Sequence, residues 1–366
     1  MPVLAETESW LTTLQAAGAA LGHLWESEGA LHFGDWKREW ATVREYAGVF
    51  EASFRKLWVL AGADRVSFLQ GMITADVRSL APGRGTYAAA VTVQGRVVSD
   101  LRVYALEEEI WLDAPTRRAD RLREHLAHYI VADDVEFREP EWVPLLAVEG
   151  RSVDTVLASL PGFPLELARS LPLHGNVEVV LNKHRLRVAA VTHTGERGYL
   201  FIGPPNAFPL LWAQLVHAGA RPVGRLALDV LRLEAGIPLA GDDMDESSLI
   251  AEADLETAIA YGKGCYLGQE VVERIAARGQ VQRKRVGFVC RGSALPERGA
   301  KVWHGGHEVG AVTSAGWSPA LERGIGFAYV RRECWDPGTT LDSRWPQGRV
   351  EVEVVAMPFL ELPVKL

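Results

Sequence analysis

"GADRVSFLQGMITADV", residues 62–77, is the stretch from which the fold reads outward. Asp64 stands at a capping position, and Val66, Leu69, Met72 and Ile73 recur at helical spacing, so a short helix is predicted here. Just before it, "FRKLWVLAG" (54–62) reads as a strand. Just after it, "TYAAAVTVQGRVVSDLRVYALEEEIWLDA" (86–114) is rich in β-formers, with Gln94-Gly95 as one hairpin turn and Glu107 to Glu109 as a second. "RRADRLREHLAHYI" (117–130) closes the unit as a helix with Leu122, Leu126 and Tyr129 on one stripe. A strand, a helix, a run of strands and a second helix make an α+β unit.

The flanks repeat the theme and then change it. Residues 9–23 predict an amphipathic helix with Ser9 as N-cap and Leu11, Leu14 and Leu21 on its apolar face. Beyond "REPEWVPL" lie strands near 143–149, 177–181 and 186–192, and helices near 150–160 and 206–218. "LDVLRLEAG" (228–236) predicts a helix that stops at Gly236. After Gly279, "RVGFVC", "KVWHGGHEVGAVTSAGW", "GIGFAYV" and "RVEVEVVAM" are short β segments divided by glycine and proline, which predicts an all-β C-terminal module.

Composition narrows the function classes. At 366 residues the chain is long enough for two or three cores. A net charge of −8 argues against coating nucleic acid, and no direct nucleic-acid partner is expected. "QRKRVGF" (282–288) is the best basic candidate, and it reads as a strand with a solvated basic edge. No apolar run has the length of a membrane span, so no membrane partner is expected. The start, "MPVLAETESWLTTLQ", carries Glu6 and Glu8 and no basic leader, and the expected compartment is the cytoplasm. Cys265, Cys290 and Cys334 are few, odd in number and scattered, which fits reduced thiols there. His304 and His307 flank a Gly-Gly turn without a third ligand, so no metal site is expected.

Cys265 stands among glycines beside Lys263, ahead of a helical stripe of Leu267, Val271, Val272 and Ile275. A helix start and a neighbouring ammonium both favour thiolate, so a reactive thiol of lowered pKa is expected. The residues alone favour a buried, inert cysteine in a glycine turn, because buried unreactive cysteine is common.

"KGCYLGQE" (263–270) resembles the signature of the folate-binding YgfZ family, carried here by Lys263, Gly264, Cys265, Tyr266, Gly268, Gln269 and Glu270. The wider chain resembles the superfamily of the glycine-cleavage T-protein, an aminomethyltransferase. The matching segments are 62–77, "QGRVVSDL" (94–101), "TGERGYL" (194–200) and "LRLEAGIPLAGDDMD" (231–245). The resemblance implies an α+β, three-lobed cloverleaf with a C-terminal barrel and a central folate pocket. Its first lobe would be 1–53 with 141–262, its second 54–140, its bridge a Cys-bearing helix at 263–279, and its barrel 280–366.

By the same resemblance the cofactor is tetrahydrofolate or a one-carbon derivative. Glu196 would be the pterin carboxylate and Asp100 the catalytic one, with Tyr87 and Trp111 as pocket walls. Asp113 falls near a pocket Asn of the T-protein, across a shorter loop, and Arg232 either binds ligand or pairs with Glu234 or Asp229. Pattern alone also allows Glu196 as a solvated loop acid, Asp100 as an exposed strand residue, and both aromatics as core.

The function implied is assistance in assembly or repair of iron–sulfur clusters, including those of tRNA-modifying enzymes, through Cys265, with client or assembly proteins as partners. The alternatives are a tetrahydrofolate-dependent aminomethyl or one-carbon transferase acting through Asp100, and a non-catalytic folate-binding scaffold. Leu228 stands where the T-protein has Arg, and with the Gly-Cys-Tyr signature this predicts no appreciable aminomethyl transfer.

Overall fold

The computed structural model describes residues 10–279 and 281–364. The chain starts a six-stranded sheet with Gly48–Glu51 and leaves it to build a five-stranded sheet between Arg55 and Arg138. It then returns at Val143–Glu149. The six-stranded sheet runs in the order Asn176–Leu181, His184–Val191, Gly198–Gly203, Val143–Glu149, Gly48–Glu51, Arg221–Pro222. The five-stranded sheet runs Gly85–Val91, Val97–Ala105, Ile110–Pro115, Arg55–Ala61, Glu136–Arg138. Six further strands, from Arg283–Cys290 to Gly348–Val355, close into a barrel because the first also pairs with the last. The architecture is therefore α+β with a C-terminal closed barrel. No helix among the described residues is long and apolar enough to cross a membrane.

Each sheet buries one face under helices. Leu101 and Val103 point into a core with Leu69, Met72, Leu122 and Leu126, so the helices Arg65–Met72 and Thr116–Ala127 cover that side. The alternate residues Asp100, Arg102 and Tyr104 must then face the other way, as the two-residue period of a strand requires. Buried Glu234, at the end of the helix Arg225–Glu234, ties three elements together. It accepts from Arg44 at 2.8 Å, from Trp40 Nε1 at 2.9 Å, and from barrel residue Ser318 at 2.6 Å.

Three local expectations are corrected. Helix covers 10–16 of the stretch expected at 9–23, and Ser9 lies outside the described residues. Gly18, at φ +90°, turns the chain out of the helix, and Leu21 falls on a strand, Ala20–Leu24, paired with Ser27–His32. Asp64 occupies the N-cap position, but its side chain accepts from Asp134 N at 2.9 Å instead of capping the helix. The basic strand is solvated only in part, with Arg283 and Lys284 half-exposed and Arg285 buried. Arg285 is 2% exposed and donates to Ala253 O, Arg283 pairs with Glu252, and Lys284 pairs with Asp254. These cations dock the barrel on the 252–254 segment.

Candidate active site

The polar face of the strand Val97–Ala105 carries the site. A β-bulge where Ala90 pairs Ser99 and Val91 pairs Val97 inserts Val98 two residues before Asp100, a device that re-aims the side chains beside it. Asp100 is buried. Its Oδ2 accepts from the Tyr87 hydroxyl at 3.0 Å, and its Oδ1 has no partner. Burial raises the Asp100 pKa above the ordinary carboxylate value, against the pull of Arg55 and Arg102. Tyr87 has a second role. Its ring lines a cavity of about 220 Å³ with Ile237, Leu255, Arg285, Met357 and Pro358. It thus joins a mostly apolar recess to the carboxylate.

Asp113 supports this centre. Fully buried, it accepts from Arg55 Nε at 2.7 Å, Arg102 Nη1 at 3.3 Å and the Tyr104 hydroxyl at 3.2 Å. Burial opposes its ionisation, but Arg55 and Arg102 outweigh burial and hold its carboxyl below the ordinary value. Both its oxygens are taken by protein donors. Arg102 continues the chain to His193 Nε2 at 2.9 Å. An arginine can only donate, so Nε2 is the acceptor and Nδ1 carries the proton. That proton faces Glu149 Oε1 at 2.6 Å. Glu149 also accepts from His193 N and Thr194 Oγ1, yet burial pushes it up to about 7.

The other sequence-derived residues divide. Glu196 is buried, with Oε1 3.0 Å from Arg44 Nη1, and it follows the Thr194-Gly195 turn that anchors Glu149. Arg232 is committed to Asp229, Asp243 and Ser314, and Glu234 pairs with Arg44 instead. Trp111 lines a different cavity, with Trp142, Glu109 and Arg138. Arg55, Arg102, Glu149, His193 and Arg44 escaped sequence reasoning. Arg102 had a signal, because polar residues at 100, 102 and 104 alternate along an otherwise apolar strand. The others come together only through tertiary packing.

The octapeptide at 263–270 forms a bracket. Lys263 Nζ donates to the carbonyls of Gln70, Ile73 and Ala75 at 2.7, 2.6 and 2.6 Å, closing the C-terminal end of the helix Arg65–Met72. Burial lowers Lys263 to about 8. Gln70 returns a bond to Lys263 O, and Leu267 N donates to Gly71 O. Tyr266 is buried in a cluster with Tyr87 and Ala89, and Gln269 bonds Glu273. Gly268, not Cys265, caps the helix Gln269–Arg278. It holds φ +81°, and a Cβ there would meet Thr92 O at 2.4 Å. Gly264 and Cys265 are exposed, as is Glu270 in the first helical turn. Cys265 thus precedes the helix cap, and the Lys263 charge is spent on carbonyls. We expect Lys263→Met to cost about 1–3 kcal/mol of stability, because three carbonyls lose their donor. Urea melts of the two proteins check it, and equal midpoints would show that water replaces the ammonium.

The profile of the GCVT N-terminal domain matches residues 10–263, and that of the glycine cleavage T-protein C-terminal barrel domain matches 283–361. The chain belongs to the glycine cleavage T-protein family. An aminomethyltransferase of Rubrobacter xylanophilus is 32% identical over 349 residues, 94% of this chain and 91% of that protein. The aminomethyltransferase of Streptomyces coelicolor is 33% identical over 376 residues, 97% and 99% of the two chains. The crystal structure of glycine cleavage system aminomethyltransferase T from Bartonella henselae shares the fold at a TM-score of 0.88. It covers 96% of this chain and 97% of its own at 24% identity.

These T-protein relatives overturn the iron–sulfur reading, since full-length similarity runs to proteins named aminomethyltransferase. The packing agrees. Cys290 and Cys334 are buried in the barrel core, and neither joins exposed Cys265. Position 228 departs from the T-protein Arg that the resemblance supplies, and the structure places this departure in the core. Leu228 is 2% exposed, in a core with Phe50, Leu200 and Leu231. An apolar side chain is what that position buries.

Proposed function

We propose that this T-protein family member is a tetrahydrofolate-dependent aminomethyl or one-carbon transferase, with Asp100 as its catalytic carboxylate. The observation that carries the reading is the orphaned Oδ1 of Asp100, a buried acceptor that no protein group satisfies. A folate fits this environment. The Tyr87-lined cavity of about 220 Å³ offers Ile237, Leu255, Met357 and Pro358 to a ring system, with Arg285, Asp254 and Glu256 as the charged residues of its wall. Bound tetrahydrofolate would supply the nucleophilic nitrogen that takes up the carbon.

The protein's own part is positioning and proton holding. Tyr87 fixes Oδ2, so Oδ1 is left to accept an N–H and to take its proton. A carboxylate with a raised pKa is the stronger base near neutrality. Glu196, with Oε1 fixed by Arg44, would offer its other oxygen to the pterin. The likeness of 263–270 to the YgfZ signature supports a place near that branch within the family. Tyr266 of this stretch shares a buried cluster with Tyr87 and Ala89.

Calorimetry with tetrahydrofolate, and an assay of aminomethyl transfer from the glycine-cleavage carrier protein, test the reading. We expect a Kd on the order of micromolar, roughly −8 kcal/mol, and turnover that requires the folate. Binding without turnover would leave a folate-binding scaffold, and no heat at millimolar ligand would end the folate reading.

A further inference from the structure

Tyr87 has a second neighbour. His174 stacks on its ring with centroids 6.2 Å apart and planes 22° from parallel. His174 stands just before the strand Asn176–Leu181, at φ +66°, in the left-handed region where histidine is several-fold enriched over most residues but still uncommon. Its backbone fixes it there. The His174 N–H donates to Ala190 O at 2.7 Å, and its carbonyl oxygen lies 2.3 Å from where a Cβ on Gly85 would stand. The residue is 6% exposed, and its Nδ1 is buried without a partner. Burial, aided by Arg102 and Arg55, lowers its pKa to about 3, so the imidazole is neutral at physiological pH.

A buried, unsatisfied ring nitrogen is unfavourable unless something engages it. Here it lies beside a tyrosine whose hydroxyl holds Asp100, and Asp100 has the matching orphan at Oδ1. Two unsatisfied polar atoms therefore flank one aromatic ring that also lines a cavity. A neutral imidazole offers one donor and one acceptor, which suits a heterocycle with an N–H beside a lone pair and does not require charge on the ligand.

We infer that His174 is a specificity-determining residue of the folate site, engaging the bound heterocycle through Nδ1 while its ring holds Tyr87 in place. The inference rests on the folate reading above. It adds a ring nitrogen beside Tyr87 to the carboxylate that Tyr87 holds.

Wild-type protein and His174→Phe are titrated with tetrahydrofolate by calorimetry, and both are melted without ligand. Phenylalanine keeps an aromatic ring against Tyr87 and removes the nitrogens. We expect a modestly lower melting temperature, because phenylalanine tolerates φ +66° less well than histidine, and a Kd raised about three- to tenfold in the variant that still folds. The ¹⁵N resonance of His174 Nδ1 in the wild-type protein should also shift when tetrahydrofolate is added, a readout independent of whether the variant folds. Equal Kd values with an unmoved resonance would overturn the role of His174 and leave the folate reading standing. Failure of the wild-type protein to bind tetrahydrofolate would overturn both.

Discussion

Asp100→Asn should lower kcat/KM for aminomethyl transfer by about 10²–10⁴, the range expected when a positioned acid–base group is lost. The fold should survive. Asp100 is buried with a raised pKa, so its ionised form is disfavoured by the folded state, and a neutral amide of the same shape relieves that cost. Tyr87 can still donate to the amide oxygen at the position of Oδ2. The measurement pairs steady-state rates with thermal melts. A variant that melts like wild type and retains more than a tenth of its kcat/KM would remove Asp100 from the chemistry. The wild-type rate should also fall on the acid side at a pH above 3.8, because protonation of the raised carboxyl removes the base.

Asp113→Ala should be the most destabilising change at the site, by about 3–5 kcal/mol, a large share of the about 5–15 kcal/mol that holds a typical protein folded. Arg55 and Arg102 would be left as buried cations without their shared counter-ion, and the Tyr104 hydroxyl without its acceptor. The pH dependence has a definite sign. The folded carboxyl has its pKa lowered below 3.8, so the stability it contributes is present above that value and is lost as pH falls through the folded pKa. The gap between the urea midpoints of wild type and variant should therefore hold from pH 7 to about 4 and narrow only below 3.8. A gap that stays constant as the pH is taken down to about 2 would show that Asp113 acts through packing, not charge.

The sequence determined by itself the parts of this protein that follow from local periodicity. The helical spacing of Val66, Leu69 and Met72, the alternation through 97–105, and the change to short β segments after Gly279 each correspond to an observed element. A two-residue period in an apolar strand also places Asp100 opposite Leu101, which is how a carboxylate comes to stand on the inner face. Family motifs extended this to Tyr87 and Glu196, both of which are buried.

What only the tertiary structure decided is which charges meet. Arg55, Arg102 and Asp113 come from three strands of one sheet. Glu149, Thr192 and His193 come from another, and no local pattern records that pairing. The same holds for Lys263. Beside Cys265 in sequence, it reads as a cation that activates a thiol. In space the carbonyls of Gln70, Ile73 and Ala75 hold its ammonium. A long flexible side chain reaches past its sequence neighbours to whatever partner burial offers, so its role is fixed by the fold around it.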